Sequence, residues 1–280
     1  MRAGWRLVAF IMVWLGCYFV LLLAAFALGL PSVGGMWDPA RFLPMETINL
    51  VSVAVATLVL GCLERRALSA YGLPLRASRA QVGEGVVWGA AAMTSLVGAM
   101  WFLGGYTPRG LNMIGGEVLT SLLLWVVGFL MLGVAEELLF RAYPLFTVTR
   151  SIGFWPAALV LSVLFSAFHA GKEGENWVDL LSLLLFGMFA AFTVWRTGSV
   201  WFAVGFHAAF NFFGLVVYAA PNAGELLPGR LLVAEFSGPQ WLTGGSLGPE
   251  ASLLAFPLFA ALFVLFRLQY RASGRVDRNV

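Results

Sequence analysis

Long apolar runs separated by short, turn-rich connections dominate this chain. A helix that spans a membrane needs about 20 consecutive, predominantly apolar residues. The pattern predicts spanning helices at roughly 7–29, 46–63, 83–103, 118–140, 154–169, 178–195, 199–218 and 251–266. The expected fold is therefore all-α, a polytopic membrane helix bundle with about eight transmembrane helices.

The longest connection, at about 220–250, is rich in proline and glycine. These residues interrupt regular structure. We predict a loop there, with a short surface helix around Leu226–Phe236.

The composition agrees with a membrane protein and excludes an ordinary soluble domain. Hydrophobic residues make up 60% of the chain and charged residues 11%, with a mean hydropathy of +0.87. Soluble domains contain about 45–50% apolar and about 25% charged residues. The net charge is only +3 and no basic stripe runs through a polar segment. We therefore expect the lipid bilayer, and no nucleic acid, as a partner.

Basic residues are distributed unevenly between the two sides of this eight-helix arrangement. Cytoplasmic connections of membrane proteins carry an excess of lysine and arginine. With both termini placed in the cytoplasm, 13 basic residues lie on the inner side and 4 on the outer side, the outer ones being Arg41, Arg109, Lys172 and Arg230. We expect a multi-pass protein of the inner or plasma membrane with both termini cytoplasmic.

One apolar run contains Glu136, Glu137 and Arg141. Ionisable groups at mid-bilayer are unfavourable by about 2.5–3.5 kcal/mol each on insertion scales, which makes a functional role a reasonable hypothesis. Residues four apart share a helix face, so Glu137 and Arg141 can pair. Glu136 points elsewhere and is available as a general base. The alternative is a plain charge cluster at the membrane boundary.

The two histidines of the chain also lie in apolar runs. His169 follows Phe165 by four residues, and His207 precedes Asn211 by four, so each pair shares a helix face. Such polar groups also serve as hydrogen-bonding contacts between membrane helices, which is the structural alternative. A carboxylate, two imidazoles and a carboxamide that face one cavity could together catalyse hydrolysis. The carboxylate can accept a proton from water, and the amide can donate to an oxyanion.

In this arrangement, the predicted positions of Glu136 and His169 are difficult to reconcile with a shared site. Glu136 lies near the inner end of the fourth run and His169 near the outer end of the fifth. The two can meet only if the fourth helix continues past Arg141 and the fifth is short or tilted. Pro144 permits a kink at that point. The polarity of the fourth run favours a cavity that faces the cytoplasm.

The order Glu136-Glu137-x-x-x-Arg141, Phe165-x-x-x-His169 and His207-x-x-x-Asn211 resembles the three motifs of the CPBP family of intramembrane metalloproteases. This family includes the type II CAAX prenyl endopeptidases and the bacterial Abi-like proteins. The resemblance covers about residues 116–215. It divides the chain into helices 1–3 in 1–110, a catalytic core of helices 4–7 in 116–218, a loop at 219–250, and a last helix with a basic cytoplasmic tail in 251–280.

The resemblance implies roles for these residues. Glu136 would activate the attacking water with His169, while His207 and Asn211 would stabilise the oxyanion. Glu137, Arg141 and Phe165 would support them. Zinc could be held by His169 and His207 with Glu136 or Asn211, since catalytic zinc takes three such ligands and an open position. Whether the chain binds a metal stays open at this point.

Three classes of function fit the sequence. The first is an intramembrane endopeptidase, similar to CAAX proteases, that hydrolyses a peptide bond near the membrane surface in a membrane-associated peptide or protein. In eukaryotic relatives the substrate is a prenylated C-terminal tripeptide. The second is a non-proteolytic scaffold, immunity or regulatory protein. The third is a proton-coupled transporter whose glutamate and histidine residues form a relay.

Overall fold

The computed structural model describes residues 3–30, 37–171 and 174–270. The predicted basic tail beyond the last helix, at 271–280, lies outside these residues. The principal elements, in chain order, are α1 (Ala3–Ala27), α2 (Pro39–Leu63), α3 (Ser78–Phe102), β1 (Tyr106–Leu111), α4 (Gly116–Arg141), α5 (Tyr143–Ile152), α6 (Phe154–Phe168), α7 (Trp177–Thr197), α8 (Trp201–Asn211), β2 (Leu232–Phe236), α9 (Gln240–Thr243) and α10 (Ala255–Gln269).

Apolar helices form nearly the whole molecule. In the part of the chain that the structure describes, five helical segments are long and apolar enough to cross a membrane: Gly4–Ala27, Pro39–Leu63, Ser78–Phe102, Gly116–Ile152 and Trp177–Thr197. Three shorter apolar helices accompany them, at Phe154–Phe168, Trp201–Val217 and Ala255–Gln269. The last turns of the second of these, Phe212–Val217, are π-helical. The prediction of a helical membrane bundle is confirmed.

The helix α2 begins earlier than the hydrophobic pattern predicts. The Asp38 side chain accepts a hydrogen bond from the Ala40 N–H at 2.9 Å, and Pro39 occupies the first helical position. Both features favour a helix start, because the first backbone N–H groups lack partners within the helix. The helix then passes through Pro44, so that Glu46 lies within α2 and not at its boundary.

The α4–α5 junction resolves the tension between the predicted positions of Glu136 and His169. The helix breaks for one residue at Ala142 (φ −91°, ψ −113°) and resumes at Tyr143, with Pro144 in the first turn of α5. Proline is tolerated in a first turn but disrupts a helix interior. The chain therefore continues as helix beyond Arg141, and Glu136 lies deep in the bundle. Helix α6 is short, at 15 residues.

One end of the bundle, here called the basic end, is joined by contacts of Glu64. This residue directly follows α2 and accepts hydrogen bonds from Tyr143 (2.6 Å) and Tyr71 (3.0 Å). It also pairs with Arg150 at 3.3 Å and Arg6 at 3.5 Å. Burial alone would raise the pKa of the Glu64 carboxyl, but the two hydroxyls and two arginines lower it below its usual value. The start of α1, the end of α2 and the end of α5 therefore meet here.

The opposite end is covered by residues 219–254, here called the cap. Strand β2 of the cap pairs antiparallel with β1, from Tyr106 opposite Phe236 to Leu111 opposite Leu232. Further contacts fix the cap on α4, where the Trp125 indole donates to the Pro228 carbonyl at 2.9 Å. The expectation of a short helix around Leu226–Phe236 is wrong. Strand formation depends on tertiary context, and the partner strand β1 lies more than 100 residues away in the chain.

Glycines set the position of α8 against α3. A Cβ at Gly85 would lie 2.1 Å from the Phe202 carbonyl oxygen, one at Gly89 2.3 Å from the Phe206 carbonyl oxygen, and one at Gly205 2.1 Å from the Val82 carbonyl oxygen. Small residues allow such close backbone approach between membrane helices. Helix α8 carries His207 and Asn211, so these glycines determine how deeply the two polar side chains lie.

Replacing Gly89 by alanine tests this contact. The added methyl group would overlap the α8 backbone, and overpacking of this kind lowers the free energy of unfolding by about 1–3 kcal/mol. Gly98 of the same helix is the matched control, since a Cβ there meets no atom within 4 Å. Gly98→Ala should leave the protein equally or slightly more stable, because glycine disfavours helix interiors by about 0.5–1 kcal/mol. Thermal unfolding in detergent measures both variants, and equal midpoints would contradict the packing account.

Candidate active site

The four residues that the sequence predicts to be catalytic line one cavity of about 690 Å³. Glu136 comes from α4, His169 directly follows α6, and His207 and Asn211 lie one turn apart on α8. The structure therefore brings together residues from three helices. Their chemical roles remain predictions.

Glu136 lies between the two imidazoles. Its Oε2 is 3.7 Å from His169 Nε2 and 3.7 Å from His207 Nε2. This separation is too long for a direct hydrogen bond, and a polar contact of this length is commonly bridged by water. Glu136 Oε2 is buried and accepts no hydrogen bond from the part of the chain that the structure describes. The three atoms can thus share one solvent molecule.

His169 is oriented by the end of its own helix. Its Nδ1 lies 2.8 Å from the Phe165 carbonyl oxygen, which can only accept a hydrogen bond. Nδ1 therefore carries the proton, and in the neutral ring Nε2 has a free lone pair. The Phe165 ring packs against the imidazole at 4.5 Å between centroids. Both contacts aim Nε2 at Glu136.

His207 is oriented by Glu137. Its Nδ1 lies 2.9 Å from Glu137 Oε1, while Arg141 Nη1 approaches the same oxygen at 3.2 Å. All three side chains are almost completely buried. The predicted Glu137–Arg141 pair thus exists, and the same carboxylate also fixes the His207 ring. With Nδ1–H donating to Glu137, the Nε2 of His207 faces Glu136 and the cavity.

The Arg141 guanidinium occupies a closely fitted site behind the cavity. It lies over the Phe165 ring, with 4.3 Å between Cζ and the ring centroid. A guanidinium in this position is attracted by the ring face. A Cβ at Gly187 of α7 would lie 2.9 Å from Arg141 Nη2 and 2.9 Å from Ser162. The absence of a side chain at Gly187 therefore leaves the space that Arg141 fills.

The cavity extends toward the cap end and not toward the basic end. Lining residues outside the long helices come from the start of α2, the connection after α6, and the cap: Trp37, Ala170, Gly171, Asn222, Ala223, Glu225 and Glu250. The side of the membrane that the cavity faces stays a prediction, which the sequence drew from the polarity of the fourth run. Arg141 gave that run its polarity, but it lies inside the bundle beside Glu137.

Two residues of the site were not predicted from the sequence. Glu46 of α2 lines the cavity, and its Oε2 is buried without a hydrogen-bond partner among the described residues. The predicted apolar run 46–63 begins at this residue, so the hydrophobic pattern gave no sign that Glu46 faces a cavity. Phe186 of α7 packs its ring edge-on against His207, with centroids 4.8 Å apart. No pattern could distinguish Phe186 from the other aromatic residues of an apolar helix.

The predicted zinc ligands have the right chemistry for a metal centre, and their role as ligands stays a prediction. Each histidine anchors Nδ1 and presents Nε2, as metal-binding histidines do. Within residues 3–30, 37–171 and 174–270, no group of three or more His, Cys, Asp or Glu side chains is placed to hold a metal ion. We therefore derive no chemical step through zinc.

Comparison with known proteins adds an independent finding. Residues 118–213 match the family model described as Rce1-like, type II CAAX prenyl endopeptidase. This match supports the CPBP, or CAAX protease, family. It begins in α4 and ends just after α8, so it contains every predicted catalytic residue. A comparison with curated proteins found no match. The helices α1–α3, the cap and α10 lie outside the segment matched to the CAAX protease family.

The contact between Glu137 and Arg141 predicts strong coupling between the two residues. Removing one partner leaves the other buried without compensation, which costs about 3–5 kcal/mol of unfolding free energy. We expect Glu137→Gln and Arg141→Met each to destabilise the protein, and the double variant to lose less than the sum of both. Glu235→Gln is the matched control, because its partner Arg109 lies on the exposed cap sheet, and it should have little effect. Additive losses would show that the pair is not coupled.

Proposed function

We propose that this protein is an intramembrane endopeptidase that hydrolyses a peptide bond near the membrane surface by means of water activated by Glu136. The match to the CAAX protease family supports proteolysis. The observation that carries the mechanism is the 3.7 Å separation of Glu136 Oε2 from both imidazole Nε2 atoms, inside a cavity lined by apolar and polar side chains.

In this mechanism, Glu136 and His169 hold the attacking water. The His169 Nε2 lone pair accepts one hydrogen of the water and so orients it. The Glu136 carboxylate takes the other proton as the water oxygen attacks the peptide carbonyl carbon. A buried carboxylate within hydrogen-bond reach of a water molecule is suited to this role. The product of the step is a tetrahedral intermediate with a negatively charged oxygen.

The residues of α8 would stabilise that oxygen. Asn211 has an amide N–H that can donate to it, as the donors of oxyanion holes do. His207 can donate from Nε2 when both of its ring nitrogens are protonated, since Nδ1–H is already engaged by Glu137. Collapse of the intermediate then breaks the C–N bond, and Glu136 returns its proton to the leaving amine. The water is consumed and the carboxylate is regenerated.

The substrate would be a membrane-associated peptide or protein. The cavity wall contains large apolar side chains such as Trp37, Phe42 and Phe168, which suit a peptide segment that leaves the bilayer. The apolar helices and the excess of arginine at one end support our proposal of a multi-pass location in the cell membrane. The substrate therefore reaches the site from the membrane or from its surface.

Replacing Glu136 by glutamine should abolish cleavage. Glutamine keeps the size of the side chain but cannot accept the proton from water, and general-base catalysis contributes about 10²–10⁴-fold to a rate. Glu117 is the matched control, because it is an exposed acidic residue in the first turn of the same helix. Peptide termini in membranes from cells that make wild type, Glu136→Gln or Glu117→Gln can be compared by terminal labelling and mass spectrometry. New termini should occur with wild type and Glu117→Gln only.

Two outcomes would contradict this proposal. New termini that persist in Glu136→Gln would exclude Glu136 as the base. A physiological effect of the wild-type chain without any new termini would favour a scaffold or regulatory role, and proton-dependent flux through vesicles would favour a transporter.

The proposed activation of water by Glu136 alone also predicts the response to metal removal. Because Glu136 activates the water without a metal in this proposal, we expect purified protein to contain much less than one zinc ion per chain. Cleavage should persist after dialysis against a strong chelator. Elemental analysis and activity before and after chelation measure this. Stoichiometric zinc that disappears in His169→Ala, together with activity lost on chelation and restored by zinc, would contradict the metal-free mechanism.

A further inference from the structure

The connections between helices that border the cavity all lie at one end of the bundle. Every lining residue that lies outside the long helices belongs to the cap end, such as Gly171 after α6 and Glu225 in the cap. Connections of the basic end contribute no lining residue within the described ranges. A polar segment of a substrate would therefore approach Glu136 from the cap end.

The basic end has its own fixed structure. Glu64 joins Arg6 of α1 and Arg150 of α5, as described above. The Val200 N–H at the start of α8 donates to the Gly72 carbonyl at 2.9 Å, and the Trp201 indole donates to the Pro74 carbonyl at 3.1 Å. These contacts close the basic end beneath the cavity floor. They also show that the connections 64–77 and 197–200 belong to the same end of the bundle.

Arginine is concentrated at that closed end. Arg141 lies inside the bundle and does not count as a flanking charge. Of the other basic residues in the described part of the chain, three lie at the cap end (Arg41, Arg109 and Arg230) and eight at the basic end: Arg6, Arg65, Arg66, Arg76, Arg79, Arg150, Arg196 and Arg267. At the cap end, Arg109 pairs with Glu235 at 2.6 Å. Cytoplasmic ends of membrane helices carry the excess of lysine and arginine, counted close to the helix ends. The basic end is therefore the cytoplasmic end.

We infer that the candidate active site opens on the side of the membrane that faces away from the cytoplasm. If the proposed protease function holds, on which this part of the inference rests, the substrate is a polypeptide whose cleaved segment lies outside the cytoplasm. Suitable substrates are the membrane-proximal segment of an exported protein and an outward-facing terminus or loop of a membrane protein. A C-terminus that remains in the cytoplasm would meet the closed basic end.

Cysteine labelling in intact cells tests the orientation directly. The only two cysteines, Cys17 and Cys62, are free and can be replaced by alanine to give a cysteine-free background. Ala170→Cys and Glu225→Cys then place a thiol at exposed positions of the cavity rim, and Ser69→Cys places one at an exposed position of the basic end. A membrane-impermeant maleimide is added before or after permeabilisation.

We expect Ala170→Cys and Glu225→Cys to react fully in intact cells, and Ser69→Cys to react only after permeabilisation. The reverse pattern, or equal labelling of all three in intact cells, would overturn the inference. The labelling does not depend on catalysis, so it should be the same in a Glu136→Gln background. Normal labelling, together with the same peptide termini in Glu136→Gln as in wild type, would contradict the protease function but not the inferred orientation.

Discussion

A charged side chain inside a membrane helix needs compensating partners, and this requirement organises the centre of the molecule. Glu137 is completely buried and shares one oxygen between Arg141 and His207. Removing any of these groups would leave unpaired charge or an unpaired donor in an apolar medium. Because Glu137 satisfies this requirement, Glu136, the preceding residue of α4, can turn its own carboxylate into the cavity.

The surrounding helices serve to hold this arrangement in place. Glycines at the α3–α8 contact bring the α8 backbone close to α3, and Gly187 of α7 leaves space for the Arg141 side chain. Phe165 contacts both Arg141 and His169, so it links the buried ion pair to the cavity surface. The positions of the reactive groups therefore depend on residues with no reactive group of their own.

Much of this could be predicted from the sequence, and the rest depends on tertiary contacts. Apolar runs reveal membrane helices because lipid leaves few alternatives for the backbone. Spacing of four residues reveals the Glu137–Arg141 pair because helix geometry is regular. Glu46 was not predicted as a site residue because Asp38 and Pro39 start α2 before the apolar run begins. Strand β2 was not predicted because its partner β1 lies more than 100 residues away in the chain.

The burial of Arg141 removes the reason for placing the cavity on the cytoplasmic side. An arginine near the end of an apolar run usually marks the membrane boundary, but Arg141 is paired and buried, and the helix resumes after Ala142. The depth of a charged residue in the helix bundle is therefore indicated better by its partners than by its charge. Only the contacts of Arg141 with Glu137 and Phe165 show that it belongs to the interior.

The central claim is that Glu136, His169 and His207 share one solvent molecule. A crystal structure grown from a lipid phase, at a resolution that shows ordered water, tests this most directly. The account predicts a single solvent peak within about 3 Å of Glu136 Oε2 and of both imidazole Nε2 atoms. Separate waters on each side chain, or side chains turned away from the cavity, would contradict it.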